Sequence, residues 1–478
     1  MVEGVLEVDM SKRLPATPAP GLLEQFSAEF DPLFSKRNQR EAFRQYLANL
    51  LLPNERNKTL TALANTEPVL GAQHPRAQQL QWFLSESTWD AKKVNQTRLS
   101  LLRADTTTAP TATGVLVIDE TGDRKAGSKT AHVGRQYLAN LGKIDNGVVS
   151  VTSLWADERL YYPIEVEPYT PAHWFEQGKA DPDFRTKPQI ALELVQQAVR
   201  AKLPFRAVVA DSFYGEHEGF RTGLDKLKIG FVLALKPSHA WWHPVDELGS
   251  LVDIAAAADW QSPEQPGAWV ALTRVFRDGH TQTWWALEII AGPYGPTHAH
   301  RAIVVTTDPS TLPETSTWYL ISNLPAPGSE QAARTKIVPA ALEEIVRLYG
   351  LRMWVEQSYK QVKQVLGWAE YQVRSDQAIR RHWALVCCVF TFCWWHASRT
   401  IAERHNNEKP GETLEGSEEP NTAVEEKKNG QTDLSAPEHI LASCIATSPG
   451  LVRAVDDAEE VLAGVVNTST SFSTSKFA

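Results

Sequence analysis

The chain has 478 residues, of which 42% are hydrophobic and 22% charged, an ordinary composition for a globular protein with room for two or three domains. No uninterrupted apolar stretch reaches the roughly 18 residues of a membrane span, and the N-terminus lacks the residue order of a signal peptide. The sequence therefore argues against a membrane protein and predicts a cytoplasmic location.

The acidic residues are distributed unevenly. The formal net charge is −9, but 14 acidic and only 6 basic residues lie from residue 401 onward. Residues 1–400 are close to neutral. The acidity of the whole chain is therefore no argument against DNA binding by the first 400 residues, nor is it an argument for it.

The cysteine pattern shows no disulfide framework and does not support a zinc site. The four cysteines form no Cys-x2-Cys pair, and three of them lie in the apolar run 383–395, where cysteine serves as a small buried hydrophobe. They are Cys387, Cys388, Cys393 and Cys444.

The first 110 residues divide into two segments. Residues 1–20 contain three prolines and are predicted to be a loose leader, whereas residues 21–110 are mainly helical. Residues 78–90 have helical apolar spacing, and the Thr-rich stretch 106–113 is a linker signal.

Residues 114–237 alternate between strand and helix patterns. Short apolar runs at 115–118, 206–210 and 231–235 are typical of buried strands, and 147–155 and 160–166 predict a further strand pair. Helices are predicted over 187–202 and 220–226. This alternation indicates an α/β fold with a mixed sheet.

The remainder divides into three regions. Residues 238–328 carry four strand-like runs and are interpreted as a β-rich insertion subdomain. Residues 329–405 return to helical patterns. Residues 406–478 are rich in Glu, Lys, Asn, Gly, Ser and Thr, which predicts an acidic and mostly disordered tail.

Two aspartates follow the predicted buried strands. Asp119 comes directly after 115–118, and Asp211 comes directly after 206–210. Ligands and metals gather at the carboxyl ends of strands in open sheets. Each aspartate alone is more simply a turn or N-cap residue, so the pair needs a third element.

That element is the segment from Tyr349 to Lys363. At about 100° per residue, Tyr349, Arg352, Glu356 and Lys363 fall within an arc of about 60° on one helix. A carboxylate between two cations can hold a metal while the cations contact phosphate oxygens. A solvated helix with ordinary ion pairs is the simpler alternative.

Together these segments resemble a family. The spacing Tyr-x2-Arg-x3-Glu-x6-Lys resembles the Y-R-E-K signature of DDE transposases of bacterial insertion sequences. Residues 117–122, 133–143 and 209–215 are also similar to segments around the first two catalytic aspartates of that family. The similarity spans roughly residues 75–400.

The resemblance implies a ribonuclease H-like core interrupted by the β-rich insertion. It implies two Mg²⁺ ions, with Mn²⁺ as a substitute, held by Asp119, Asp211 and Glu356. It further implies DNA contacts by Tyr349, Arg352 and Lys363, such that removing either cation weakens binding and its salt dependence.

The partners implied are the transposon ends and target DNA, bound by a dimer in the synaptic complex at the nucleoid, with residues 21–110 binding DNA.

Other residues are weaker candidates. Lys129 and Arg135 belong to a basic stretch that either contacts DNA or is a solvated loop. Glu120 is placed outside the metal site. An aromatic side chain of the insertion can receive a flipped base in related enzymes, and the sequence does not choose among the candidates, which are Trp241, Trp242, Trp284, Trp285 and Trp318.

Three functions are compatible with these patterns. The leading prediction is cut-and-paste transposition. The first alternative is a transposase-derived DNA-binding regulator, disfavoured because all three carboxylates are present. The second is another ribonuclease H-like nuclease, disfavoured by the Tyr349–Lys363 spacing.

Overall fold

The computed structural model describes residues 15–19, 21–52, 57–65, 73–242, 248–276, 280–289 and 300–407. These residues form two compact units. The first contains the described parts of Met1–Phe83, Ser87–Thr108 and Cys388–Ala478, and the second comprises Leu84–Glu86 and the described parts of Ala109–Cys387.

The first unit is helical. Its helices are α1 (Leu22–Ala28), α2 (Arg37–Leu51), α3 (Leu60–Leu63), α4 (Pro75–Ser85) and α5 (Ala91–Ala104), joined by the later part of a long C-terminal helix. Aromatic rings form its core: Phe26 packs on Phe30 and Phe392 at centroid distances of 5.2 and 5.5 Å. The fully buried Arg98 donates to Asn95 Oδ1 at 2.7 Å.

The helix predicted over 78–90 is α4, which ends at Ser85. It stops early because Asp90 is the N-cap of α5, where its side chain accepts a hydrogen bond from the backbone of Lys92 at 2.8 Å.

The second unit is built on a ten-stranded sheet. The strands are β1 (Val115–Arg124), β2 (Gly134–Leu138), β3 (Lys143–Ala156), β4 (Tyr161–Tyr169), β5 (Ala207–Ala210), β6 (Phe231–Ala234), β7 (Ala240–Trp242), β8 (Leu248–Ser250), β9 (Val270–Val275), β10 (Thr281–Ile289), β11 (Arg301–Thr306) and β12 (Thr317–Ser322). The order is β2-β3-β1-β5-β6-β12-β11-β10-β9, with β4 paired to β3, and β7 and β8 form a separate hairpin.

The sheet is mixed. β5 is parallel to both β1 and β6, whereas β3 is antiparallel to β1 and β4. Strands β12, β11, β10 and β9 continue from β6 in antiparallel pairs. The predicted α/β fold with a mixed sheet is confirmed, and the strands predicted within 238–328 hydrogen-bond into the same sheet as β1 and β5.

Eight helices are described in the chain after β4: α6 (Lys187–Arg200), α7 (Ser212–Gly215), α8 (Glu218–Lys226), α9 (Leu251–Ala257), α10 (Glu330–Arg334), α11 (Leu342–Gly350), α12 (Met353–Gln364) and α13 (Asp376–Asn407). The first of them begins with a capping box between Thr186 and Gln189 and buries an apolar stripe that includes Ile190 and Leu194.

Two predicted elements differ from the structure. The first strand does not end at residue 118: β1 continues to Arg124, because β3 supplies hydrogen-bonding partners along its whole length. Asp119 is therefore inside a strand and not at its end.

The prediction of one continuous helix from Tyr349 to Lys363 is also wrong. Tyr349 lies at the end of α11, and Arg352 is the N-cap of α12. Gly350 has low helix propensity, and the following turn tightens: Arg352 N donates to Tyr349 O, and Val355 N donates to Arg352 O, both three residues back.

Several sequence predictions concern residues outside the described ranges. These include 1–14 of the leader, 408–478 of the tail, Cys444 and the side chain of Trp242. Cys387, Cys388 and Cys393 are buried, as predicted. Among the described residues, no helix combines the length and the apolar character that crossing a membrane requires.

Candidate active site

The first carboxylate lies on the face of β1 that α12 covers. Side chains alternate along a strand, so Asp119, Thr121 and Asp123 point to the same face, and all three are buried. The backbone N–H of Glu120 donates to Asp119 Oδ1 at 2.7 Å. A row of buried polar side chains on a central strand is unusual and needs partners from the covering helix.

The second carboxylate lies beside the first. β1 and β5 are parallel with Ile118 opposite Ala210, so Asp119 and Asp211 are the next residues of neighbouring strands. Asp211 is the N-cap of α7, and its Oδ1 accepts hydrogen bonds from the backbone N–H groups of Phe213 and Tyr214 at 3.1 and 3.4 Å. Its Oδ2 accepts no hydrogen bond from a described residue, so this oxygen is available to a ligand.

The third carboxylate extends toward solvent. Glu356 lies in the first turn of α12, and its side chain is 69% exposed. Its one partner among the described residues is Arg352, whose Nη1 is 3.3 Å from Glu356 Oε1. An exposed carboxylate with one long hydrogen bond can reorient at little energetic cost.

A single guanidinium links the first and third carboxylates. Arg352 Nη2 donates to Asp119 Oδ2 at 2.9 Å, while Nη1 faces Glu356. Burial lowers the pKa of Arg352, but Asp119 and then Tyr349 and Asp211 outweigh that effect and hold it above its usual range. Arg352 is therefore a permanent positive charge among the three carboxylates.

The electrostatic state of Asp119 reflects this crowding. Burial raises the pKa of Asp119 to about 7; Arg352 opposes that rise, and the neighbouring Asp211 carboxylate adds to it. Without another cation nearby, ionisation of Asp119 beside the Asp211 carboxylate is therefore disfavoured.

The carboxylate set suits a hard divalent cation by its chemistry. All three side chains offer oxygen donors, which Mg²⁺ prefers, and an arginine cation already lies between two of them. Within the described part of the chain, however, no three acidic, histidine or cysteine side chains are grouped closely enough to hold a metal ion. The three carboxylates therefore lie near one another but do not surround a common point that a metal ion could occupy.

Tyr349 belongs to the same neighbourhood. Burial raises the pKa of Tyr349 to about 12, with smaller influences from Arg352, Asp211 and Asp119. Its ring meets Trp318 edge-to-face at a centroid distance of 5.0 Å. The break between α11 and α12 therefore does not separate Tyr349 from the carboxylates.

The tryptophans of the β-rich region have different environments. Trp241, Trp284 and Trp285 are buried, whereas Trp318 is partly exposed. The guanidinium of Arg274 lies 4.7 Å from the ring centres of both Trp284 and Trp318. Of the four candidates whose side chains the structure describes, Trp318 is the one that combines partial exposure with a contact to Tyr349.

Lys363 occupies the last turn of α12. Its ammonium donates to the carbonyl of Gly122 at 2.8 Å and lies 2.8 Å from Asp123 Oδ1. The predicted phosphate contact is thus paired with a buried carboxylate of β1.

The other predicted DNA contacts lie on the surface. Arg135 on β2 and Lys129 in the preceding loop are exposed, and neither pairs with a described acidic residue. Glu120 accepts from Lys187 Nζ at 2.6 Å and from the Tyr214 hydroxyl at 3.2 Å.

The sequence analysis missed three residues that bind α12 to the sheet. Asp123 is one; the others are Thr152 of β3 and Tyr359 of α12, whose hydroxyl oxygens are 2.5 Å apart. The signal for Asp123 was its alternation with Asp119 and Thr121, which is visible only if β1 is extended through Gly122.

This arrangement of carboxylates agrees with comparisons to known families. The family described as DDE superfamily endonuclease matches residues 29–256, which include Asp119 and Asp211. The family described as Transposase DDE domain matches residues 185–392, which include Asp211 and Glu356. Both descriptions define DNA-processing proteins of the DDE class.

One curated relative narrows the class. The chain is 34% identical over 360 residues to a probable transposase for insertion sequence element IS701 from Microchaete diplosiphon, covering 75% of this chain and 83% of the relative. The chain therefore belongs to the DDE transposases of insertion sequences, and the resemblance inferred from its motifs is confirmed. Domains of this family generally use divalent metal ions, and transposases act on DNA.

Proposed function

We propose that this transposase binds the terminal inverted repeats of its own element and catalyses metal-dependent cleavage and strand transfer with Asp119, Asp211 and Glu356. The observation that carries the proposal is the placement of Asp119 and Asp211 at equivalent positions of adjacent parallel strands, with Arg352 linking Asp119 to Glu356. The function follows the cut-and-paste route predicted from the sequence.

The topology supports a ribonuclease H-like core. The sheet contains the order β4-β3-β1-β5-β6, in which three antiparallel strands are followed by two parallel ones. Strands β9 to β12 come between this core and the helix that carries Glu356, as a β-rich insertion requires.

The three carboxylates would hold two Mg²⁺ ions, or Mn²⁺ in their place. When bound, such ions activate the attacking hydroxyl and neutralise charge on the leaving oxygen. Asp211 contributes its unbonded Oδ2, while Oδ1 remains held by the start of α7. Asp119 is oriented by the Glu120 N–H and Arg352, and the exposed Glu356 can turn toward either neighbour.

DNA contacts are proposed for the cations and the phenol around this site. Arg135 and Lys129 are exposed and free of described ion pairs, which leaves their charge available to phosphates. Tyr349 and Arg352 flank the carboxylates, and Trp318 is the proposed aromatic surface for a displaced base. Lys363, the remaining member of the predicted set, has a buried ionic partner.

The protein is proposed to act as a dimer at the nucleoid, because synapsis brings two element ends together. The helical residues 21–110 are proposed to contribute to end binding.

A cleavage assay tests the proposal. Purified protein with Mg²⁺ is expected to nick DNA that carries the terminal repeats of its element. Glu356→Gln is expected to reduce this activity at least about a hundredfold, because it removes one ligand of the two metal ions. Glu343→Gln is the matched control, because Glu343 is an exposed glutamate on the neighbouring helix α11 without a described partner.

The same assay separates the alternative of a transposase-derived regulator. A regulator would bind the repeats tightly but leave them intact, with or without metal, and its Glu356→Gln variant would behave like the wild type. That outcome would contradict the cleavage proposal.

A further inference from the structure

Among the described carboxylates that the proposed chemistry does not use, that of Asp123 is the most deeply buried. Its side chain is 1% exposed, and neither oxygen accepts a hydrogen bond from a described residue. Lys363, with Nζ 2.8 Å from Oδ1, is its one ion-pair partner among the described residues. A buried carboxylate without hydrogen bonds depends on its counterion.

The other nearby cation cannot replace Lys363. Lys125 donates to the carbonyls of Ala369 and Tyr371 at 2.7 and 3.1 Å, and its ammonium lies 3.4 Å from the centre of the Tyr371 ring. These contacts hold Lys125 where it is. Burial lowers the pKa of Lys125 and the charge of Asp123 raises it to a lesser extent, but Lys363 is the cation in direct contact with Asp123.

The charge of Lys363 is correspondingly unavailable. Its side chain is only 17% exposed, and one donor is already bonded to the Gly122 carbonyl. Moving this ammonium to a DNA phosphate would leave Asp123 buried and uncompensated, which is strongly unfavourable. This arrangement favours Asp123 over a DNA phosphate as the partner of Lys363.

The ion pair has a position that matters for the active site. Helix α12 is attached to the sheet at several levels: Arg352 to Asp119 at its start, Tyr359 to Thr152 in its middle, and Gln361 to Tyr161 and Lys363 to Asp123 toward its end. Glu356 lies between the first two levels, about 10 Å along the helix axis from Lys363. Fixing both ends of α12 fixes where Glu356 is presented.

We propose that Asp123 is a positioning residue for Glu356: it holds Lys363, and through Lys363 it sets α12 against β1, so that the charge of Lys363 neutralises Asp123 instead of DNA. The inference rests on the proposed cleavage function of Glu356. It assigns a role to a residue outside the Asp-Asp-Glu set and changes the role of Lys363.

The first test is the salt dependence of binding to terminal-repeat DNA. A lysine that contacts a phosphate contributes about 0.9 to the slope of log K against log salt concentration. Lys363→Met and Asp123→Asn are both expected to keep the wild-type slope. A decrease of about 0.9 in Lys363→Met would overturn the proposal, because it would show that the lysine neutralises DNA.

The second test is a double-mutant cycle on cleavage, measured with all DNA bound. Asp123→Asn and Lys363→Met are each expected to reduce the cleavage rate at least about tenfold, and the double variant is expected to be no slower than the worse single variant, since both remove one coupled pair. Multiplicative losses, or full activity in Asp123→Asn, would overturn the proposal.

The third test does not require DNA and so separates this inference from the proposed function. Thermal unfolding of the same three variants is expected to show the double variant more stable than Lys363→Met, because it removes the buried charge together with its counterion. If the double variant is no more stable than the less stable single variant, the pairing is overturned. The same criterion applies when a single variant fails to fold. If the wild type does not cleave DNA but the variants show this coupling in stability, the proposed cleavage function is contradicted and the pairing of Asp123 with Lys363 is supported.

Discussion

At the scale of single residues, the site is an arrangement of charges that balance only in part. Three carboxylates and Arg352 lie together, and Asp119, buried beside Asp211, carries a raised pKa. The two aspartates and Glu356 were proposed as site residues from the sequence because each belongs to a motif. Asp123 was not, because an aspartate after glycine looks like a turn residue until the strand is known to continue.

The raised pKa of Asp119 predicts a pH-dependent stability. Its pKa is about 7 in the folded protein against 3.8 for an ordinary aspartate, so the folded state binds the proton more tightly than the unfolded state. The associated stability is present below about pH 4 and is lost as the pH rises through 7, by up to about 1.4 kcal/mol per pH unit. Asp119→Asn, which cannot ionise, should lack this loss.

The measurement is urea unfolding of both proteins between pH 5 and 8 with a chelator present. The free energy of unfolding of the wild type should fall relative to that of Asp119→Asn as the pH rises. Parallel pH profiles would show that Asp119 ionises normally.

At the scale of elements, apolar runs located most of the core strands to within a few residues, because buried strands depend on local composition. The two errors have non-local causes. Strand β1 continues through polar residues because β3 pairs with it and α12 covers Asp119 and Asp123. The turn between α11 and α12 follows Gly350, and periodicity alone cannot distinguish a tightened turn from a continuous helix.

Two glycines near the site should respond oppositely to alanine. At Gly350 the nearest atom to an added Cβ would be on Arg274 at 3.5 Å, which is an ordinary contact. Gly350→Ala should therefore stabilise the fold by about 0.4–1 kcal/mol, because alanine reduces the conformational entropy of the unfolded chain. At Gly215 an added Cβ would lie only 1.8 Å from the Ala234 carbonyl oxygen.

Gly215→Ala should therefore destabilise the fold by about 1–3 kcal/mol or more, and it should disturb α7, whose first turn Asp211 caps. Thermal unfolding of both variants, with cleavage assays, provides the comparison. Loss of stability in Gly350→Ala would indicate that the turn requires glycine.

At the scale of the whole molecule, charge is divided between the first 400 residues and the acidic end of the chain. From residue 408 onward there are 13 acidic and 5 basic residues. No apolar pattern or motif in that segment predicted a function, and it lies outside the described residues. Its sequence therefore supports an electrostatic prediction and nothing more specific.

Deleting residues 408–478 should tighten binding to terminal-repeat DNA at low salt, because a net negative charge that repels phosphates is removed. The gain should shrink toward zero above about 0.5 M salt, where charges are screened within a few ångströms. Fluorescence anisotropy across a salt series measures it, and unfolding of the truncated chain is the control. Weaker binding after deletion would identify the segment as a contributor to the complex.

The pairing of Ile118 with Ala210 also limits how this sequence can change its length. Adding or removing one residue within 115–119 or 207–211 would rotate every later side chain of that strand to the opposite face. One aspartate would then point away from the other even though both were still encoded. Point substitutions among the apolar residues of these two segments should consequently disturb the orientation of the two aspartates less than a single-codon insertion or deletion does.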